Sequence, residues 1–214
     1  MITIRQNTIW ENSYTLWSDA VEKHPNSNTA NALMGVVYMQ LGMDQTAEKY
    51  LKKAIEVLPY DYESRNNLGI VYGKLGDYEE ALNEFAIAMK LRPEDDTIKF
   101  NLSVLYQRQK EYEKAEKVLR HLLAKNTKDP LLHFRLGLLF RDAERYDQAI
   151  SEFLRSSELA PDIINPYVEL GNVYATRIKD FEKAKYYYTK GIEAAPKAKL
   201  RIQDLRWMVH DLER

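Results

Sequence analysis

The chain has 214 residues, 45% of them apolar, so it is long enough to bury a sizeable core and is not a disordered segment. Its 31 basic and 32 acidic residues give a net charge of -1, which argues against the strongly basic surface of a general nucleic-acid binder. It has no cysteine, which excludes disulfides, thiolate nucleophiles, iron–sulfur clusters and cysteine zinc sites, and its 8 glycines and 7 prolines are too few for a loop-rich protein.

One period runs through the chain. Aromatics stand at Tyr38, Tyr72, Tyr106, Phe140 and Tyr174, every step being 34 residues. Alanines at Ala47, Ala81, Ala115, Ala149 and Ala184, glycines at Gly35, Gly69, Gly137 and Gly171, and prolines at Pro25, Pro59, Pro93, Pro161 and Pro196 keep the same phase. A period of this length marks a repeat architecture in which each unit buries its apolar face against the next.

In chain order, residues 1–27 form an N-terminal half repeat. Met1 to Ile4 is apolar, but Arg5 and Asn7 end it before a signal-peptide core forms. Trp17, Ala20 and Pro25 match second-helix positions, which predicts a lone helix over 10–24, with Trp10 and Trp17 covering the open end of the stack. Five units follow, at 28–61, 62–95, 96–129, 130–163 and 164–198. Each holds two helices. In the second unit Leu68, Tyr72 and Leu75 share one helix face, and Ala81, Phe85 and Ala88 repeat that spacing. Gly69 and Ala81 let the two helices approach, and Pro93 stops the second. Ser27, Asp61, Asp95 and Asp129 recur every 34 residues where an N-cap is needed, and Pro130 follows its cap in the favoured order. The third unit is the least regular, with Ser103 for the small glycine, Lys110 for the turn glycine and Thr127 for the terminal proline. In the fifth, Asn165-Pro166 predicts a first helix that starts about two residues late, and one extra residue sits near Ile178. Residues 199–214 form a C-terminal capping helix whose Ile202, Leu205, Val209 and Leu212 make an apolar stripe, with Arg201, Asp204, Asp211 and Glu213 off it. The whole is one continuous domain. Its longest nearly apolar run, Ala32 to Met39, falls far short of the ~20 residues a helix needs to cross a bilayer.

The Leu/Met-Gly-x-x-Tyr, Ala-x-x-x-aromatic and terminal proline pattern resembles the tetratricopeptide repeat over nearly the whole chain. That resemblance implies an all-α, right-handed α-solenoid of helix–turn–helix repeats with about twelve helices: one leading, ten in repeats and one cap. The position that holds tryptophan in the family is occupied by Asn31, Arg65, Lys99, His133 and Tyr167.

No catalytic constellation accompanies the repeats. His24, His121, His133 and His210 include no pair at metal-ligand spacing on one helix face. No glycine-rich phosphate loop and no G-x-S-x-G elbow occur. Carboxylates such as Glu79, Glu80, Glu94, Asp95 and Asp96 read as solvated charges at caps and helix surfaces. The sequence therefore predicts no enzyme, no cofactor and no metal.

In this family the first helices line a concave face where ligands bind. One ladder on that face reads Leu33, Asn67, Asn101, Arg135, Glu169, a second Ala32, Asn66, Phe100, Phe134, Val168, and a third Val36, Ile70, Val104, Leu138, Asn172. Lys74, Arg108 and Arg141 lie at the deeper end. Asn67-Leu-Gly and Asn101-Leu resemble the asparagine ladder by which some members hold a peptide backbone, since an amide both donates and accepts. Phe100 and Phe134 supply apolar anchors, while Arg108, Arg135 and Arg141 suit an acidic group. The two-carboxylate clamp of chaperone-tail binders is not matched: Asn101 and Arg135 fit, but Asn66, Ile70 and Leu131 stand where lysine, asparagine and lysine belong.

The expected function is a non-catalytic scaffold that binds a protein or peptide in the groove, with no nucleic acid and no membrane insertion by this chain. An alternative comes from the N-terminus, where Arg5-Gln-Asn-x-x-Trp10 followed by Leu16-Trp17 resembles the junction after the last membrane helix of polytopic, glycosyltransferase-like proteins. The chain would then be a soluble accessory domain that recruits acceptor proteins, with an artificial start at Met1. Its compartment is cytoplasmic if the chain is free-standing, and can be extracytoplasmic if it is cut from a membrane protein. Self-association through the end caps, at Trp207 and Met208, is a further expectation.

Overall fold

The computed structural model describes residues 2–194, 205, 207–210 and 212, with side chains from Ser13 onward. Eleven α-helices occur among the described residues: α1 (Ile2–Lys23), α2 (Asn28–Gln40), α3 (Asp44–Val57), α4 (Tyr62–Leu75), α5 (Tyr78–Leu91), α6 (Asp96–Arg108), α7 (Tyr112–Lys125), α8 (Pro130–Asp142), α9 (Tyr146–Leu159), α10 (Ile164–Val173) and α11 (Phe181–Ala194). Further helical residues follow at Leu205 and 207–210. The fold class is all-α, as expected. Among the described residues, no helix is long and apolar enough to cross a membrane.

The helix starts follow from their caps. Ser27 Oγ accepts from the Ala30 amide, Asp61 from Ser64, Asp95 from Thr97 and Ile98, and Asp129 from Leu131 and Leu132, with Pro130 in the first turn. Each cap satisfies amides that the first turn leaves without a helical partner.

Two expectations about helix limits are corrected. The leading helix starts at Ile2 rather than residue 10, since no proline or glycine lies between Ile2 and Lys23 to stop it. The first helix of the fifth unit begins at Ile164, in step with its predecessors. Pro166 falls in its first turn, where the missing amide has no helical acceptor to lose. The extra residue of this unit is absorbed as a π turn over Tyr174–Ile178, which ends at Lys179 in the left-handed region with φ 65°.

The chain forms two compact units, residues 1–109 and 110–214. In the first, α2 packs on α3 and α4 on α5, while α4 also touches α2 and α6. Leu51, Leu68, Val71, Ala81, Phe85, Ile98 and Leu105 are buried at its core. Trp17 of α1 is half-buried, and Tyr14 meets the Tyr38 ring edge-on at 6.1 Å. Trp10 and the rest of the Arg5–Trp10 segment fall among residues whose side chains are not described.

In the second unit α8 packs on α9 and α10 on α11, with α7 against α8 and α9 against α10. Leu136, Phe140, Phe153, Leu170 and Leu205 are buried. The small residue of each unit works by close approach: a Cβ on Gly137 would lie 2.5 Å from the Phe153 ring, and one on Gly171 2.3 Å from Tyr188. Of the predicted capping stripe, Leu205 packs beside Gly191, while Val209 and Leu212 are half-buried. Ile202, Arg201, Asp204, Asp211 and Glu213 lie outside the described residues. Trp207 is 66% exposed.

Candidate functional site

Residues of the predicted ladders in the first unit lie on α2, α4 and α6, the first helices of three successive repeats. Because successive ones touch, residues one repeat apart come within side-chain reach. Asn101 Nδ2 donates to Asn66 Oδ1 at 3.0 Å. That bond uses one donor of Asn101 and the acceptor of Asn66. The pair still offers Asn101 Oδ1 as an acceptor and Asn66 Nδ2 as a donor, which matches the alternation of a peptide backbone. Asn67 is half-buried, and its side chain makes no hydrogen bond among the described residues.

Two open clefts flank the amide pair. One, of about 300 Å³, is lined by Tyr62, Glu63, Asn66, Asn67, Asp95, Thr97 and Ile98. The other is smaller, about 70 Å³. Its walls are apolar at Ile70, Gly73, Val104 and Leu105, and Lys74, Asn101 and Arg108 stand at its margin. Lys74 Nζ pairs with Asp44 Oδ1 at 3.0 Å. Arg108 Nη1 makes a long hydrogen bond, 3.5 Å, to the Gly73 carbonyl. Phe100 is half-buried, and its carbonyl accepts from Ser103 Oγ at 2.6 Å.

The second unit carries the remaining ladder residues on α8 and α10. Phe134 is half-buried and tilts against Phe153, with ring centroids 5.7 Å apart. Arg135 is half-buried too, and burial lowers the pKa of its guanidinium. Arg141 Nη1 donates to Glu169 Oε2 at 2.6 Å, and Nη2 to Asp142 Oδ1 at 2.8 Å. Burial disfavours the Arg141 charge, but these two carboxylates outweigh it and raise the pKa. Two residues read from sequence as separate groove charges, Arg141 and Glu169, are therefore one ion pair.

Several contributors carry no signal in the 34-residue ladders. Gly73 is a glycine outside the periodic set; the matching positions hold Met39, Gln107, Arg141 and Ala175. That break in the pattern is its one mark in the sequence. Asp44, the partner of Lys74, and Tyr62, Glu63 and Thr97 of the wider cleft had none, because only helix packing brings them to this face.

Family profiles described as tetratricopeptide repeat match residues 27–94, 74–139, 131–163 and 164–197. No curated protein matches the chain. Among solved structures, a tetratricopeptide repeat protein from Parabacteroides merdae ATCC 43184 is similar with a TM-score of 0.80 at 15% identity, over 98% of this chain and 80% of that one. MamA from Desulfovibrio magneticus RS-1 is similar with a TM-score of 0.63 at 25% identity, over 78% of this chain and 94% of that one. YrrB, described as a tetratricopeptide repeat protein with an unusual peptide-binding site, has a TM-score of 0.55 at 20% identity, over 89% and 97%.

Proposed function

We propose that this chain, which belongs to the tetratricopeptide repeat family, is a non-catalytic scaffold that holds a peptide or a partner protein on the faces formed by its first helices. The observation that carries this reading is the Asn66–Asn101 pair, an amide bridge between successive repeats with a donor and an acceptor left over. An extended ligand chain presents the complementary groups whatever its side chains, so the bridge supplies affinity that depends little on sequence. Asn67 adds a third amide at the wider cleft, which Asn66 also lines. Selectivity then comes from the flanking groups: Lys74 and Arg108 beside the α4–α6 cleft, and Phe100 as an apolar contact. On the second unit, Phe134, Arg135 and the Arg141–Glu169 pair supply the corresponding contacts. YrrB has a peptide-binding site on a similar fold, which agrees with this reading without specifying a ligand.

A capture experiment tests it. The chain and its Asn67→Ala/Asn101→Ala/Arg135→Ala variant, shown equally helical by circular dichroism, are incubated with source-cell lysate and the retained proteins identified by mass spectrometry. A partner held by the native chain and lost in the variant is the expected result. A partner retained equally by both moves the site away from the first-helix faces.

A further inference from the structure

We infer that the notch between α4 and α6 is the anchor subsite of this face, taking an aliphatic side chain of a peptide whose adjacent side chain is a carboxylate. The inference rests on the scaffold reading and adds the chemistry of the ligand to it.

Position 73 is glycine, so α4 puts no side chain into the notch there. Leu105 of α6 packs close against it, since a Cβ on Gly73 would lie 2.9 Å from Leu105 Cδ1. The equivalent residues in the other repeats are Met39, Gln107, Arg141 and Ala175, all larger. Beside Gly73 the walls are Ile70 and Val104, both half-buried, and Leu105, which is buried. The cleft is open to solvent and small, about 70 Å³, well below the range for pockets that take a whole ligand. A single aliphatic side chain suits it, and burying one there removes apolar surface on both partners from water.

Charge decides the neighbouring ligand residue. Two cations stand at the margin, Lys74 and Arg108. Lys74 is partly neutralised by Asp44 at 3.0 Å. Arg108 is exposed and meets only the neutral Gly73 carbonyl, with no carboxylate partner among the described residues. Its planar fork of donors is suited to a carboxylate. Asn101 Oδ1, at the wall of the same cleft, accepts the amide of the intervening backbone. An apolar side chain next to a lysine would instead place like charges together.

The test uses three hexapeptides with acetylated and amidated ends, so that the only side-chain charge is the intended one: Gly-Ser-Leu-Glu-Ser-Gly, the same with Leu-Lys, and the same with Ser-Glu. Each is titrated into the isotopically labelled 214-residue chain while amide chemical shifts are followed. The Leu-Glu peptide is expected to shift the amides of Gly69, Gly73 and Asn101 saturably, with the other two about tenfold weaker. The Arg108→Glu variant, a change at an exposed side chain, is expected to reverse the preference between Leu-Glu and Leu-Lys. Equal response to Leu-Glu and Leu-Lys overturns the proposal. Saturable shifts confined to Asn66 and Asn67 also overturn it while leaving the scaffold reading standing. No shift on the first unit overturns the notch, and the capture experiment then judges the scaffold reading separately.

Discussion

His133 Nδ1 lies 2.7 Å from Glu152 Oε2, and Nε2 of the same ring faces the Thr127 carbonyl at 3.3 Å. Two repeats earlier Arg65 makes the same pair of contacts: Nε donates to the Pro59 carbonyl at 2.8 Å and Nη1 to Glu84 at 2.7 Å. Asn31 and Tyr167, at the same repeat position, also bond to the carbonyl six residues back, at Pro25 and Pro161. In four of the five repeats the position that holds tryptophan in the family is thus a polar tie to the turn that precedes the repeat, while Lys99 of the third pairs with Asp96 in its own helix.

Both ring nitrogens of His133 face acceptors, a geometry that an arginine satisfies as well. His133→Arg should therefore leave stability nearly unchanged. His133→Ala should cost about 2 kcal/mol, because it leaves Glu152 partly buried without its partner. Urea denaturation of the two variants measures the difference. A loss as large for arginine as for alanine contradicts the tie.

Asp61 joins the first two repeats. Its carboxylate accepts from Asn28 Nδ2 at 2.9 Å and from Ser64 Oγ at 2.6 Å. Burial pushes this carboxyl up, but the hydrogen bonds from Ser64 and Asn28 outweigh it and hold the pKa below the usual value. A carboxyl depressed in the folded state stabilises fully above its unfolded pKa of ~3.9 and loses that contribution as the pH falls through the folded value. Asp61→Asn should thus lower the thermal midpoint at pH 7, with the gap to the native chain closing below about pH 4. A gap that is constant with pH would show that the charge plays no part.

Lys110 and Glu144 end their helices at φ 61° and 60°, where the first two units use Gly42 and Gly76. A side chain in the left-handed region costs about 1 kcal/mol, partly offset by the greater freedom of glycine in the unfolded chain. Lys110→Gly should therefore stabilise by roughly 0.5 kcal/mol and raise the thermal midpoint by about 1–2 °C. Gly76→Ala, at φ 94°, should do the opposite although no atom lies within 4 Å of the added Cβ. Calorimetry on both variants checks the pair of signs.

The periodic glycines are not equivalent. A Cβ on Gly69 would sit 3.0 Å from the Phe85 ring, close enough for a small shift to relieve, whereas on Gly137 it would sit 2.5 Å from Phe153. Alanine gains about 1 kcal/mol over glycine in helix propensity, while overpacking a core costs about 1–3 kcal/mol. Gly69→Ala should come out near neutral and Gly137→Ala destabilised by about 2 kcal/mol. Chemical denaturation of the two variants gives the order, and a Gly69→Ala variant as unstable as Gly137→Ala would refute it.

What the amino-acid order settled by itself is local. Ser27, Asp61, Asp95 and Asp129 start the helices at which their spacing placed them, because a cap acts on amides two or three residues away. Ala81, Phe85 and Ala88 are buried because helical spacing puts them on one face of α5. The candidate site was legible only as a roll of residues on the first helices. Packing decided which of them meet: Asn101 with Asn66, Arg141 with Glu169, Lys74 with Asp44. It also turned the extra residue of the fifth unit into a π turn, and seated Leu105 against Gly73 in the wall of the α4–α6 notch. Side-chain pairs one repeat apart depend on the distance and rotation between neighbouring helices, which a period of 34 residues counts but does not measure.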